Sequence, residues 1–171
     1  MAPLRDYEAV AAAIPQALAR SAAPSLEERM GAVADALWEQ LRETGLSWVG
    51  FYLHDPNNTL ARGATPEAPL VLGPHRDTPA CSPIGLHGAC GRCFTTQRPL
   101  LVRDVRELGE AYIACDPRDR SELVLPVFHD GACVGVLDAD SHDLASFDER
   151  DAQGFAAALA AAGLATVPLL D

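Results

Sequence analysis

At 171 residues the chain has the usual length of one domain, enough to bury a sizeable core without disulfide or metal staples. Its 49% hydrophobic and 22% charged residues exclude disordered and collagen-like classes. Thirteen basic against 24 acidic residues leave a net charge of −11, which repels phosphate backbones and anionic lipid. No nucleic acid and no membrane surface is an expected partner.

The N-terminus, Met1 to Glu8, has no basic stretch followed by an apolar core and does not read as a signal peptide. The tract from Phe155 to Leu170 is mostly alanine, interrupted by Gly163 and Pro168, and too weakly hydrophobic to span a bilayer. A cytoplasmic location is expected. In a reducing compartment, five cysteines point to core thiols, metal ligands or transient redox work.

In chain order, a first helix is expected from about Asp6 to Ala19, interrupted or bent at Pro15. Ser25 and Glu28 form a capping box that opens a second helix, whose apolar face is Leu26, Met30, Val33, Ala34, Leu37 and Leu41. Strands are expected at Trp48 to Leu53, Leu70 to Leu72, Leu100 to Val102, Leu123 to Phe128 and Cys133 to Leu137. Between the last two, Asp130-Gly131 is a two-residue hairpin signal, which makes them antiparallel neighbours. A short helix is expected near Gly88 to Gln97, and a last helix opened by Ser146 and Glu149 as a second capping box. The order predicts an α+β fold, an antiparallel sheet flanked by helices. One domain over 1–171 is expected, with residues 1–24 as an N-terminal helical extension.

Chemistry concentrates around cysteines and acids. Cys115 precedes Asp116 and Pro117, with Arg118 and Arg120 close, a setting that exposes a thiol and favours its thiolate. Cys133, in an alternating apolar run, reads as a small buried hydrophobe. Cys90-Gly91-Arg92-Cys93 resembles a dithiol pair at a helix start but lacks the preceding βαβ context. A zinc set of Cys81, His87, Cys90 and Cys93 has only one tight ligand pair, so no metal is expected. Asp138 and Asp140 lie two apart after an extended strand and lean to one face, and hairpin pairing brings Glu122 to the same end. Three converging acids can bind an ammonium group, hold a cation, or raise one carboxyl until it donates a proton, whereas the plainer reading is solvated strand ends. Trp48 and Tyr52 face one side of a strand with Gly50 between them and can wall an apolar pocket or simply fill the core.

Taken in order, Trp48-Val49-Gly50-Phe51-Tyr52, Leu70-Val71-Leu72-Gly73-Pro74, Pro79-Ala80-Cys81, Ala89-Cys90-Gly91, Asp104-Val105, Ile113-Ala114-Cys115-Asp116, Ser121-Glu122 and Val136 to Ser141 resemble the free methionine-(R)-sulfoxide reductases, which are GAF-domain enzymes. The resemblance runs from about residue 25 to residue 160. It implies a GAF-like fold, no cofactor, and reduction of free L-methionine-(R)-sulfoxide through a sulfenic acid on Cys115 and an intramolecular disulfide. It also implies resolving roles for Cys81 and Cys90, substrate binding and proton donation by Glu122, Asp138 and Asp140, and enclosure of the methyl end by Trp48 and Tyr52. A thioredoxin-type reductant and a homodimer are implied as well. The segment between Cys81 and Cys90 departs from the family pattern and Cys93 is an addition, so the partner of Cys115 stays open among Cys81, Cys90 and Cys93. The alternative function is a GAF module that binds a small ligand without turnover.

Overall fold

The computed structural model describes residues 4–77, 80–112 and 115–169. The motif residues Pro79, Ile113 and Ala114, and the chain ends 1–3 and 170–171, lie outside the described residues.

Helix α1 (Tyr7–Leu18) starts at Asp6, whose carboxylate accepts from the Ala9 amide, and Pro15 is accommodated inside it. Helix α2 (Leu26–Leu41) opens with the expected capping box, Ser25 and Glu28 each satisfying the other's amide. Strands β1 (Trp48–His54) and β2 (Leu70–Arg76) follow, then helix α3 (Ala89–Thr96), strand β3 (Leu100–Val102), strands β4 (Ser121–His129) and β5 (Ala132–Ser141), and helix α4 (Glu149–Ala161). The five strands form one antiparallel sheet in the order β2-β1-β5-β4-β3. At the β4–β5 hairpin, Asp130 and Gly131 both have positive φ, 50° and 79°, as a two-residue turn of the right twist requires. This is the expected α+β architecture.

Strand alternation splits the apolar residues between two layers. Val49, Phe51, Leu53, Leu123, Leu125, Val127, Leu137 and Ala139 face α1, α2 and α4 and form the main core with Ile14, Leu37 and Phe155. The opposite face carries Trp48, Tyr52, Val124 and Val136, covered by Ile84, Ala89, Cys90 and Cys93. The main core supplies most of the burial, which leaves the second, smaller layer free to hold polar chemistry.

Two expectations about elements are corrected. The last helix is capped by Asp148 and Asp151 rather than by Ser146 and Glu149, because Phe147 is buried in the core and Ser146 is engaged by Arg5. Strands β4 and β5 begin and end further out than expected, so Glu122, Asp138 and Asp140 stand inside the sheet, not beyond its ends.

Arg5 is the anchor of the N-terminal segment. Its guanidinium pairs with Asp151 at 3.1 Å, donates to the Ser146 and Thr44 carbonyls, and lies 4.9 Å from the Phe147 ring centroid. Both partners of the ion pair are almost wholly buried. Removing one would leave the other charge buried with a reduced set of partners. Arg5→Ala is expected to lower stability by about 3–5 kcal/mol, read from urea unfolding curves. A shift below about 1 kcal/mol would mean that the segment contributes little to the fold.

Candidate active site

The register of the sheet gathers the site. Trp48 lies opposite Asp140, Gly50 opposite Asp138 and Tyr52 opposite Val136 across β1 and β5, while Glu122 lies opposite Asp140 across β4 and β5. These side chains share the face away from the main core. Helix α3, Ala80 and Ile84 ahead of it, and Cys115 to Asp119 ahead of β4 close over them. The resulting pocket is lined by Ser47, Trp48, Tyr52, Ala80, Ile84, Ala89, Cys90, Tyr112, Cys115, Asp116, Arg118, Asp119, Glu122, Asp138, Asp140 and His142.

Its aromatic wall depends on an absent side chain. The Trp48 ring folds across Gly50, where a Cβ would lie 2.5 Å from Cη2 of the indole and 2.5 Å from Cβ of His75. His75 stacks on Trp48 with ring centroids 6.0 Å apart, and the Tyr52 ring stands 6.2 Å from that of Trp48. Tyr52 Oη donates to the Cys81 carbonyl at 2.8 Å. One residue thus walls the pocket and ties down a cysteine segment.

Cys81 and Cys115 are joined by a disulfide, with 5.6 Å between their Cα atoms and 34 positions between them in sequence. Leu70 and Ile84 exchange backbone hydrogen bonds, and the Leu72 amide donates to Ser82 Oγ, so the Cys81 segment is docked along the outer edge of β2. Cys90 and Cys93 are free thiols buried on α3, and Cys133 is free and half-buried.

The acids hold an unusual electrostatic state. Glu122 and Asp138 are buried, and Asp140 is half-buried at the pocket. Loss of water raises all three carboxyls well above their ordinary values, and mutual repulsion adds to it, from Asp138 on Glu122, Asp140 on Asp138 and Glu122 on Asp140. Burial also raises the Cys90 thiol well above its usual range, with Asp138 the next cause. Asp138 Oδ1 is buried without a hydrogen-bond partner, as is Trp48 Nε1. Buried polar atoms of this kind are costly in a resting structure and mark places where a ligand supplies the missing contact.

These features coincide with what comparison finds. Residues 23–166 match the GAF domain family model. The chain is similar to GAF domain-containing protein A of Dictyostelium discoideum, 40% identical over 120 residues that make up 70% of this chain and 67% of that protein. It is also similar to free methionine-R-sulfoxide reductase of Escherichia coli, 35% identical over 120 residues, 69% of this chain and 64% of that protein. The matched stretch thus spans about two thirds of these curated relatives. The solved structure of free methionine-R-sulfoxide reductase from Neisseria meningitidis in complex with its substrate covers 95% of this chain and 91% of its own at 32% identity, with a TM-score of 0.75. The chain belongs to the free methionine-(R)-sulfoxide reductase family of GAF domains.

Within this family member the expected site residues converge. Trp48, Tyr52, Cys90, Cys115, Glu122, Asp138 and Asp140 all line the one pocket, and Cys81 is bonded to Cys115 at its edge. Solvated strand ends are therefore the wrong description of the three acids. Arg118, one of the two arginines expected to favour the Cys115 thiolate, is paired with Asp116. Arg118 Nε donates to Asp116 at 3.0 Å, and this bond, with help from the Arg118 amide and His142, holds the Asp116 carboxyl well below its usual range. Its charge is thus committed to its neighbour. The Cys81, His87, Cys90 and Cys93 zinc set does not assemble, since Cys81 is in the disulfide and Cys90 stands with Glu122 and Asp138. Cys133 is half-buried rather than buried, because it stands second in β5 beside the irregular pairing at Val127 and Phe128.

Three pocket residues on either side of Cys115 and just past β5 are the ones sequence reasoning missed. Tyr112, Asp119 and His142 line the pocket, and burial, with repulsion from Asp116, pushes the Asp119 carboxyl up to about 6. Only the spacing of Asp119 three positions before Glu122, and of His142 two after Asp140, hints at this in the sequence.

Proposed function

We propose that the chain reduces free L-methionine-(R)-sulfoxide to methionine with a dithiol reductant. The observation that carries this reading is the disulfide between Cys81 and Cys115 at the edge of a pocket walled by Trp48 and Tyr52 and charged by Glu122, Asp138 and Asp140. Family membership supports it, since relatives in the family are named for this activity.

In the proposed cycle the Cys115 thiolate attacks the sulfoxide sulfur. A protonated carboxyl of the acid cluster, with Glu122 and Asp140 the assigned donors, supplies the proton that makes the oxygen a better leaving group. Attack forms a bond between the Cys115 sulfur and the substrate sulfur; as the protonated oxygen transfers to Cys115, both that bond and the substrate S–O bond break, which leaves a sulfenic acid on Cys115 and releases methionine. The Cys81 thiol then attacks Cys115, forming the disulfide and releasing water. A thioredoxin-type dithiol restores both thiols by exchange. Raised carboxyl pKa values suit proton donation near neutral pH, where an ordinary carboxylate is already ionised. Cys90 is assigned as a second resolving thiol, and burial, which raises its thiol well above the usual range, disfavours its thiolate.

The ammonium of a free amino acid answers the negative cluster, and the apolar wall answers its methylthio end. A peptide-bound methionine has no such ammonium. With dithiothreitol, reduced protein is expected to consume the free (R)-epimer and to leave the free (S)-epimer and peptide-bound sulfoxides untouched, measured by chromatography of the amino acid products. Consumption of the peptide form, or of neither free epimer, overturns the reading. Binding without consumption would make the chain a ligand-binding module.

A further inference from the structure

Beyond the reduction site, the mouth of the pocket holds a second constellation. His142 Nε2 lies 3.0 Å from Asp116 Oδ2 and 3.7 Å from Asp119 Oδ1, and the three ligand-type atoms all fall within 4.8 Å of one another. A tetrahedral zinc ion with bonds of roughly 2.0–2.2 Å sets its ligand atoms about 3.3–3.6 Å apart, a spacing that the two distances bracket. From these three residues we infer a site for a divalent first-row cation of the zinc type.

A second observation is independent of the spacing. The Asp119 side chain is 9% exposed, and its Oδ1, the atom nearest His142, is buried with no hydrogen-bond partner. A cation at the centre of the three atoms would satisfy it. The donor set of two carboxylates and one imidazole matches the three-ligand pattern of open zinc sites, with the fourth position facing the pocket that all three residues line. The scaffold is also partly fixed. The Asp119 amide donates to the Asp116 carbonyl, and Arg118 donates to both oxygens of Asp116, from Nε to Oδ1 at 3.0 Å and from Nη2 to Oδ2 at 3.1 Å, so a cation on Oδ2 shares that oxygen with the guanidinium. Arg118 lowers the affinity by its charge, so the site is one for exchangeable metal. It shares no residue with the zinc set that the sequence suggests, and the proposed reduction does not use it.

Zinc(II) titrated into the oxidised protein against a chromogenic chelator tests the inference, because Cys81 and Cys115 cannot ligate in that state. One equivalent is expected to bind, and Asp119→Asn and His142→Gln are each expected to weaken it at least ~10-fold. Far-UV circular dichroism and melting curves check that both variants fold. X-ray absorption of the zinc-loaded protein is expected to show nitrogen and oxygen neighbours only. No binding by the folded wild type overturns the inference, as does unchanged affinity in both variants. Sulfur scattering lost in Cys90→Ser also overturns it, by placing the metal among Cys90, Glu122 and Asp138 instead.

Discussion

Cys115→Ser is expected to abolish reduction of free methionine-(R)-sulfoxide, by at least ~1,000-fold in kcat/KM, while the protein stays folded. A serine hydroxyl cannot take up the sulfoxide oxygen, so a reaction that needs a sulfur able to accept oxygen has no route through it. The variant also separates catalysis from cross-linking. Closing a loop of 34 positions restricts the unfolded chain by about 4 kcal/mol. Oxidised wild type is therefore expected to exceed the variant in stability by up to that amount, while reduced wild type matches it. Urea unfolding of the three samples, with the activity assay, checks both parts. Residual activity in the variant would move the nucleophile to Cys90 or Cys81.

Asp138→Asn is expected to act in opposite directions on activity and stability. Asp138 is buried, its carboxyl is raised by burial first and by Asp140 second, and its Oδ1 lacks a partner. With the folded pKa above the unfolded one, the folded state binds more protons, so stability falls as pH rises from the ordinary carboxylate range near ~4 toward the raised folded value. An amide cannot ionise and escapes that loss. The variant is expected to be more stable than wild type at pH 8, by on the order of 1 kcal/mol, with the difference shrinking toward pH 5. Its activity is expected to drop roughly 100-fold or more, since an amide can neither share the proton of the acid cluster nor ionise in response to a bound ammonium. An Asn variant less stable than wild type at pH 8 would mean that Asp138 is held ionised by a favourable contact.

Much of the fold was legible because local signals agreed with tertiary demands. The Ser25–Glu28 box, the apolar stripe of α2 and the Asp130-Gly131 turn each carry their reason within a few residues. The cap of α4 was not legible, since Ser146 and Asp148 are equally good caps in isolation and only the burial of Phe147 and the reach of Arg5 choose between them. In the site, the acids and aromatics were visible as strand-face patterns, and the resemblance joined them to the cysteines. Asp119 and His142 were not visible. They meet through a turn and the end of β5, 23 positions apart along the chain, and no periodicity records such a meeting.

Gly50 turns the pocket wall into something with a measure. Because the indole of Trp48 occupies the volume that any larger residue at position 50 would claim, the ring's depth over the sheet is fixed by hydrogen alone. The calibre of the site is therefore written in a position that carries no functional group. A Cβ at position 50 would displace the ring or His75 and change the space left open over the sheet.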